Sequence, residues 1–230
     1  MKLGKYDNGE QLFKTLLDGT TDNREKGFIY HQLAVAKDKQ ARYQEAIEFY
    51  EKSNEAFQKN FPSSHPIFAT SYNGIGSVYE NMDEYSKALS YYEKDLEITQ
   101  KMHSPYYPDL AASYNNMGLL CDKMGEYSQA LLYHKKALEI RQKTLPSNHP
   151  DLTVSYSNIG RLYYELGEYS KALFYHEKAL EIRHKILPPS HPTFAKYYDS
   201  IGLQFRPTPE SKFLTIPQHK APFRAFPANS

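Results

Sequence analysis

Residues 150–192 read PDLTVSYSNIGRLYYELGEYSKALFYHEKALEIRHKILPPSHP, and nearly everything else in the chain is a copy of this stretch. Pro66, Pro108, Pro150 and Pro192 follow one another at steps of 42 residues. Tyr72, Tyr114, Tyr156 and Tyr198 keep the same step, as do Gly76, Gly118, Gly160 and Gly202. Ala46, Ala88, Ala130 and Ala172 carry it one unit further back. Four sets of anchors in one register, with no insertion between them, make this a repeat sequence.

Each unit predicts two helices. The first opens on the repeat proline, which suits the first turn because its missing N–H would be unpaired there anyway. Small polar residues, Ser64, Asn148 and Ser190, stand two positions before it. Tyr156, Ile159, Gly160 and Tyr163 fall at i, i+3, i+4 and i+7 and line one face. The helix should end near Leu166-Gly167, and its copies near Met82 and Met124-Gly125, with Gly supplying a left-handed turn. The second helix runs from Tyr169, carries Ala172, Leu173, His176, Ala179 and Leu180 inward, and stops at Leu187-Pro188-Pro189. Its copies stop at Phe61-Pro62 and Leu145-Pro146. Gly in mid-helix costs about 1 kcal/mol against Ala, so its recurrence needs a packing reason. The expected reason is a close approach of the two backbones, Gly160 facing Ala172.

The aromatic at Tyr156, the Ile159-Gly160 pair, Tyr163 and Ala172 resemble the tetratricopeptide motif W-x2-L-G-x2-Y…A, with Tyr in place of the usual Trp. The standard unit has about 34 residues; here it is longer by about two helical turns. This long form, with ALEIRQKTLPSNHPDL between helices, most resembles the repeats of kinesin light chain. The resemblance covers roughly Tyr30 to Gly202. It implies an all-α fold, a right-handed solenoid of antiparallel helix pairs, and a scaffold that binds an extended peptide along its concave groove.

The register sets the expected organisation. Residues 1–22 resemble the second helix of a unit whose first helix is missing, with Tyr6, Phe13, Leu16 and Leu17 matching Tyr43, Tyr50, Ser53 and Asn54. This half-repeat reads as a cap or as the start of a fragment, and the fragment is the expectation. The solenoid spans 23–205, with units 24–65, 66–107, 108–149 and 150–191 and a truncated fifth at 192–205. From 206 to 230, Pro207, Pro209, Pro217, Pro222 and Pro227 preclude a stable helix, so an extended or disordered tail is expected. Long-form repeats are also found fused to catalytic domains, including ADP-ribosyltransferase-like ones. A targeting module of a larger fusion is therefore the alternative to an adaptor.

Charge and motifs narrow the function. Lys and Arg number 28 against 27 Asp and Glu, so the basic field a nucleic-acid binder needs is absent. No run approaches the roughly 20 apolar residues of a membrane span. The lone cysteine, Cys121, takes the inward position of Tyr79 and Tyr163 and points to a buried thiol in a reducing, cytoplasmic setting. His65, His149 and His191 recur once per unit, on the order of 10–20 Å apart by helix packing. Zinc needs ligands within about 2.0–2.3 Å of one ion, so no metal is expected. His134 and His176 replace Tyr50 and Tyr92 and read as packing residues. Gly74-Ile75-Gly76 lies inside a helix and fails as a nucleotide loop; Asp83-Glu84 falls at a turn. No nucleophile recurs beside a base, so neither enzyme chemistry nor a cofactor is expected.

What remains is the groove face of the first helices, just after each anchor tyrosine. There stand Asn73, Asn115, Asn116 and Asn158, with Arg161 and Lys123 about a turn further on. Each Asn offers a donor and an acceptor and can grip a peptide backbone of any sequence. The resemblance implies this role most directly for Asn115 and Asn116. The two cations, beside Asp122 and Glu165, add an expected modest preference for acidic peptides. The chaperone-tail clamp of related repeats is not expected, because its positions hold His31, Asn73, Val35 and Ser77. The competing occupant of the groove is the Pro-rich tail folded back into it; separately, a structural spacer or self-association through unpaired terminal repeats is a third class of function.

Overall fold

The computed structural model describes residues 3–101 and 108–188. They form helices α1 (Leu3–Gly19), α2 (Asn23–Lys39), α3 (Tyr43–Gln58), α4 (Pro66–Asn81), α5 (Tyr85–Lys101), α6 (Pro108–Lys123), α7 (Tyr127–Thr144), α8 (Pro150–Glu165) and α9 (Tyr169–Ile186). No strand occurs among the described residues, and none of their helices is long and apolar enough to cross a membrane. Helices α2/α3, α4/α5 and α6/α7 form the tightest pairs, and α3, α5 and α7 each pack on the first helix of the next pair. This is an all-α helical repeat. The chain divides into a unit ending at Arg183 and a second from His184 to Ser230, of which residues 184–188 are described. The truncated fifth repeat at 192–205 and the tail at 206–230 lie outside the described residues.

The recurrent His-Pro pair explains where first helices start. His65 and His149 are extended, and the Nδ1 of each accepts from the backbone N–H two residues on, that of Ile67 at 3.3 Å and that of Asp151 at 3.2 Å. The histidine, not the small polar residue before it, is the N-cap, and proline follows at the first helical position. The turn inside each pair uses one left-handed residue in the same register. Gly125 and Gly167 take it with φ of 77° and 75°, while Ala41 and Asp83 take it at 56° and 59°. The sequence offers glycine at only two of these four turns.

The repeat glycine does make a close approach, but the nearest atoms are not those of Ala172. A Cβ on Gly160 would lie 3.0 Å from the His176 ring, one on Gly118 2.8 Å from the His134 ring, and one on Gly76 2.7 Å from the Tyr92 ring. The missing side chain thus seats a ring of the second helix, one turn beyond the buried alanine. Where the first unit carries Ala34 instead, the Tyr50 ring lies against Gly74 of the next unit, 2.4 Å from where a Cβ would stand. The out-of-register Gly74 is accounted for by that ring. A second ladder of rings runs alongside: Tyr30–Phe49, Tyr72–Tyr91, Tyr114–Tyr133 and Tyr156–Tyr175, each with centroids 6.2 Å apart. Lys87 and Lys171 lie over Tyr79 and Tyr163; where Cys121 replaces that ring, Gln129 replaces the lysine. Cys121 is buried, and burial pushes its thiol up to about 11.

Two stability measurements follow. A left-handed non-glycine residue costs about 1–2 kcal/mol, against a smaller unfolded-state entropy cost of glycine. Ala41→Gly should therefore stabilise the chain by about 0.5–1 kcal/mol in urea denaturation, and a loss of stability would contradict the turn geometry. Gly118→Ala forces a methyl onto a buried imidazole and should cost about 1–3 kcal/mol by overpacking despite the better helix propensity of alanine.

Candidate functional site

A cavity of about 220 Å³ opens between α4, α5 and α6. Helix α4 contributes Pro66, Ala69, Thr70 and Asn73; α5 contributes Asp95 and Thr99; α6 contributes Asp109, Ala112, Ser113 and Asn116. Asp95 is 3% exposed, and its Oδ2 accepts from the Asn73 side-chain amide at 3.3 Å. Burial pushes its carboxyl above the usual range, opposed by hydrogen bonds from the Ser113 hydroxyl and Asn73, while the nearby Asp109 pushes the same way as burial. The lining holds two carboxylates and no Lys, Arg or His. It is a recess of mixed polar and apolar lining whose ionisable side chains are both acids.

The structure divides the six residues predicted for a groove. Asn73 and Asn116, on neighbouring first helices, line the cavity together. Asn115 and Asn158 are half-buried on α6 and α8 outside it. The Asn115 amide oxygen is buried without a hydrogen-bond partner; the residue in register with Asp95 on its own second helix is Ala137. The two cations are already paired. Lys123 Nζ lies 2.9 Å from Glu80 Oε1 of the preceding unit, and Arg161 is bonded to Asp122 of the preceding unit. Asn81 donates to Asp38 at 3.3 Å in the same way between α2 and α4. These three links join successive first helices, so Lys123 and Arg161 are committed to holding units together. They are not free to set a preference for an acidic ligand.

Asp95, Asp109 and Thr99 were missed by sequence reasoning, which searched the first helices just after the tyrosines. For Asp95 and Thr99 the signal was present on the second helices. Asp95 stands where the other units have Ser53, Ala137 and Ala179, and Thr99 where they have Phe57, Arg141 and Arg183.

One acid of the inter-unit links also bonds a ring seated on a glycine. Tyr92 donates to Glu80 Oε2 at 2.7 Å. His134, in the same register, is 1% exposed, and neither ring nitrogen has a hydrogen-bond partner. Burial lowers its pKa to about 4; Arg161 of α8 and Arg141 of its own helix push the same way, and Asp122 of α6 opposes. The unfolded chain binds a proton here below about 6.5 and the folded chain only near 4, so stability is present above the higher value and is lost as pH falls between them. The loss is on the order of 3 kcal/mol across that window. His134→Tyr, which puts the Tyr50 and Tyr92 residue type at this place, should remove that share of the slope. Identical pH profiles for the two proteins would contradict it.

The comparisons agree with this geometry. The tetratricopeptide repeat model matches residues 67–143 and 133–185, and a second model of the same repeat matches 29–60. No curated protein matches the chain in sequence. Among solved structures, BtubC (BKLC) from P. vanneervenii is 26% identical with a TM-score of 0.74, covering 83% of this chain and 78% of that one. A putative kinesin light chain of Podosopora anserina, with nearly identical tetratricopeptide-like repeats, is 24% identical with a TM-score of 0.65, covering 76% and 86%. The apo form of RapI is 20% identical with a TM-score of 0.75, and this chain spans 55% of its length. The repeats resemble those of kinesin light chains, and the fold is typically a non-catalytic scaffold for protein interactions. The chain belongs to the tetratricopeptide repeat family.

Proposed function

We propose that the chain binds an extended peptide of a protein partner along the face formed by α4, α6 and α8. The observation that carries this reading is the recess between α4, α5 and α6, where two side-chain amides from successive first helices, Asn73 and Asn116, border one cavity. Amides at such a rim can pair with a peptide main chain whatever its sequence, and Asn115 and Asn158 continue the row along α6 and α8. Arg161 and Lys123 act indirectly in this reading, by fixing the spacing of the first helices through their pairs with Asp122 and Glu80. The pairing removes the reason to expect an acidic ligand. The resemblance to kinesin light chain repeats supports a peptide-binding adaptor without identifying the partner.

The test is selection of extended 12-residue peptides from a random displayed library on the full chain, followed by titration of the selected peptides. Each net hydrogen bond is worth about 0.5–1.5 kcal/mol. Asn116→Ala alone should weaken binding by a few-fold, and the Asn116→Ala/Asn158→Ala pair by about tenfold. Unchanged affinity in the pair, at unchanged stability, would remove the groove reading.

A further inference from the structure

The chain itself contains the group that suits this cavity, one repeat further on. In the interval formed by α6, α7 and α8, Arg141 stands in the register of Thr99, Ser155 in that of Ser113, and Asp151 in that of Asp109. Arg141 turns inward there. Its Nη1 donates to Ser155 Oγ at 2.6 Å; burial lowers its pKa, and the nearby Asp151 opposes that shift. In the first interval, the same register holds Phe57, 1% exposed and packed on Phe68 and Ala69 of α4. Of Phe57, Thr99, Arg141 and Arg183, Thr99 is the short one, and there the cavity opens. The same interval adds a second carboxylate, Asp95, buried and without a cation among its partners, where the other units carry Ser or Ala. A buried carboxylate facing neutral partners costs stability that a small residue would not, so packing alone does not favour it.

We propose that the cavity between α4, α5 and α6 receives the guanidinium of an arginine side chain presented by the bound peptide. It would take the place that Arg141 fills in the next interval, lying against Asp95, Asp109 and Ser113. Arginine fits better than lysine, because its planar fork can serve two carboxylates and a hydroxyl at once. The inference rests on the peptide-binding reading for its source of arginine, but the guanidinium site can be tested apart from it.

The first experiment supplies the guanidinium from within. Thr99→Arg should melt about 3 °C or more above Thr99→Met, which fills space without charge. The difference should vanish when Asp95→Asn is added to both. The second experiment uses the wild-type chain, labelled with 15N and titrated with N-acetyl-arginine methylamide or its citrulline counterpart, an uncharged isostere. Shifts should centre on the side-chain amides of Asn73 and Asn116, with citrulline at least about tenfold weaker, the equivalent of one lost charged contact. Equal melting of the Arg and Met variants, together with no preference for arginine over citrulline, would overturn the site. Selected peptides that bind without an arginine preference would also overturn it and leave the peptide reading standing. Arginine amide that binds in the cavity while no peptide is selected supports the site and removes the peptide reading instead.

Discussion

The whole array depends on one contact: a ring of the second helix seated on a helix face that has no side chain. At Gly76, Gly118 and Gly160 the ring of residue 92, 134 or 176 lies where a Cβ would collide with it. The seat fixes the ring, and the ring fixes what lies beyond it. Tyr92 reaches from Gly76 to one oxygen of Glu80, whose other oxygen holds Lys123 of the next unit. His134, seated on Gly118, makes no hydrogen bond, and Asp122 acts on it only through its charge while holding Arg161 of the following unit. At Tyr92, packing within a hairpin and attachment between hairpins are thus the same chain of contacts. Nearest-neighbour coupling of this kind is what lets a solenoid sum its stability unit by unit.

Much of this was legible because the repeat prints its anchors at a fixed step. The prolines placed the starts of α4, α6 and α8, and the glycines announced a close approach. Its partner was not legible: helical wheels put Ala172 and His176 on one stripe, and only the relative slide of two helices decides which meets Gly160. Likewise the turn residue at 41 and 83 is Ala and Asp, so composition gave no sign of a left-handed backbone there. Chain closure between two short-spaced helices demands it regardless of residue type.

The site was legible by half. Of the candidate cavity's lining, Asn73 and Asn116 were legible from residue type and register, since both stand just after an anchor tyrosine. The expected acidic preference rested on Arg161 and Lys123, which the structure shows paired across units. Arg161 meets Asp122, a carboxylate 39 residues away; the repeat register set the two side by side, but only the stacking of units shows that they bond. Asp95 was overlooked because a cavity between three helices takes a wall from the second helix, outside the face searched. Comparing units position by position on the second helices was the available signal.

The variation at one register position carries a further consequence. Phe57, Thr99 and Arg141 occupy the same place between successive pairs, and they fill it with an apolar ring, leave it open, or fill it with a guanidinium. The backbone accommodates all three, since the glycine seats and inter-unit links that hold it lie elsewhere on the helices. A repeat array therefore separates two tasks that a single-core fold must combine. The anchors keep the helices in place, and the interval positions are released to differ. Departure from the repeat is where binding chemistry can be written at little cost to the fold. Asp95 and Thr99 depart together, in one interval, on one wall of one cavity.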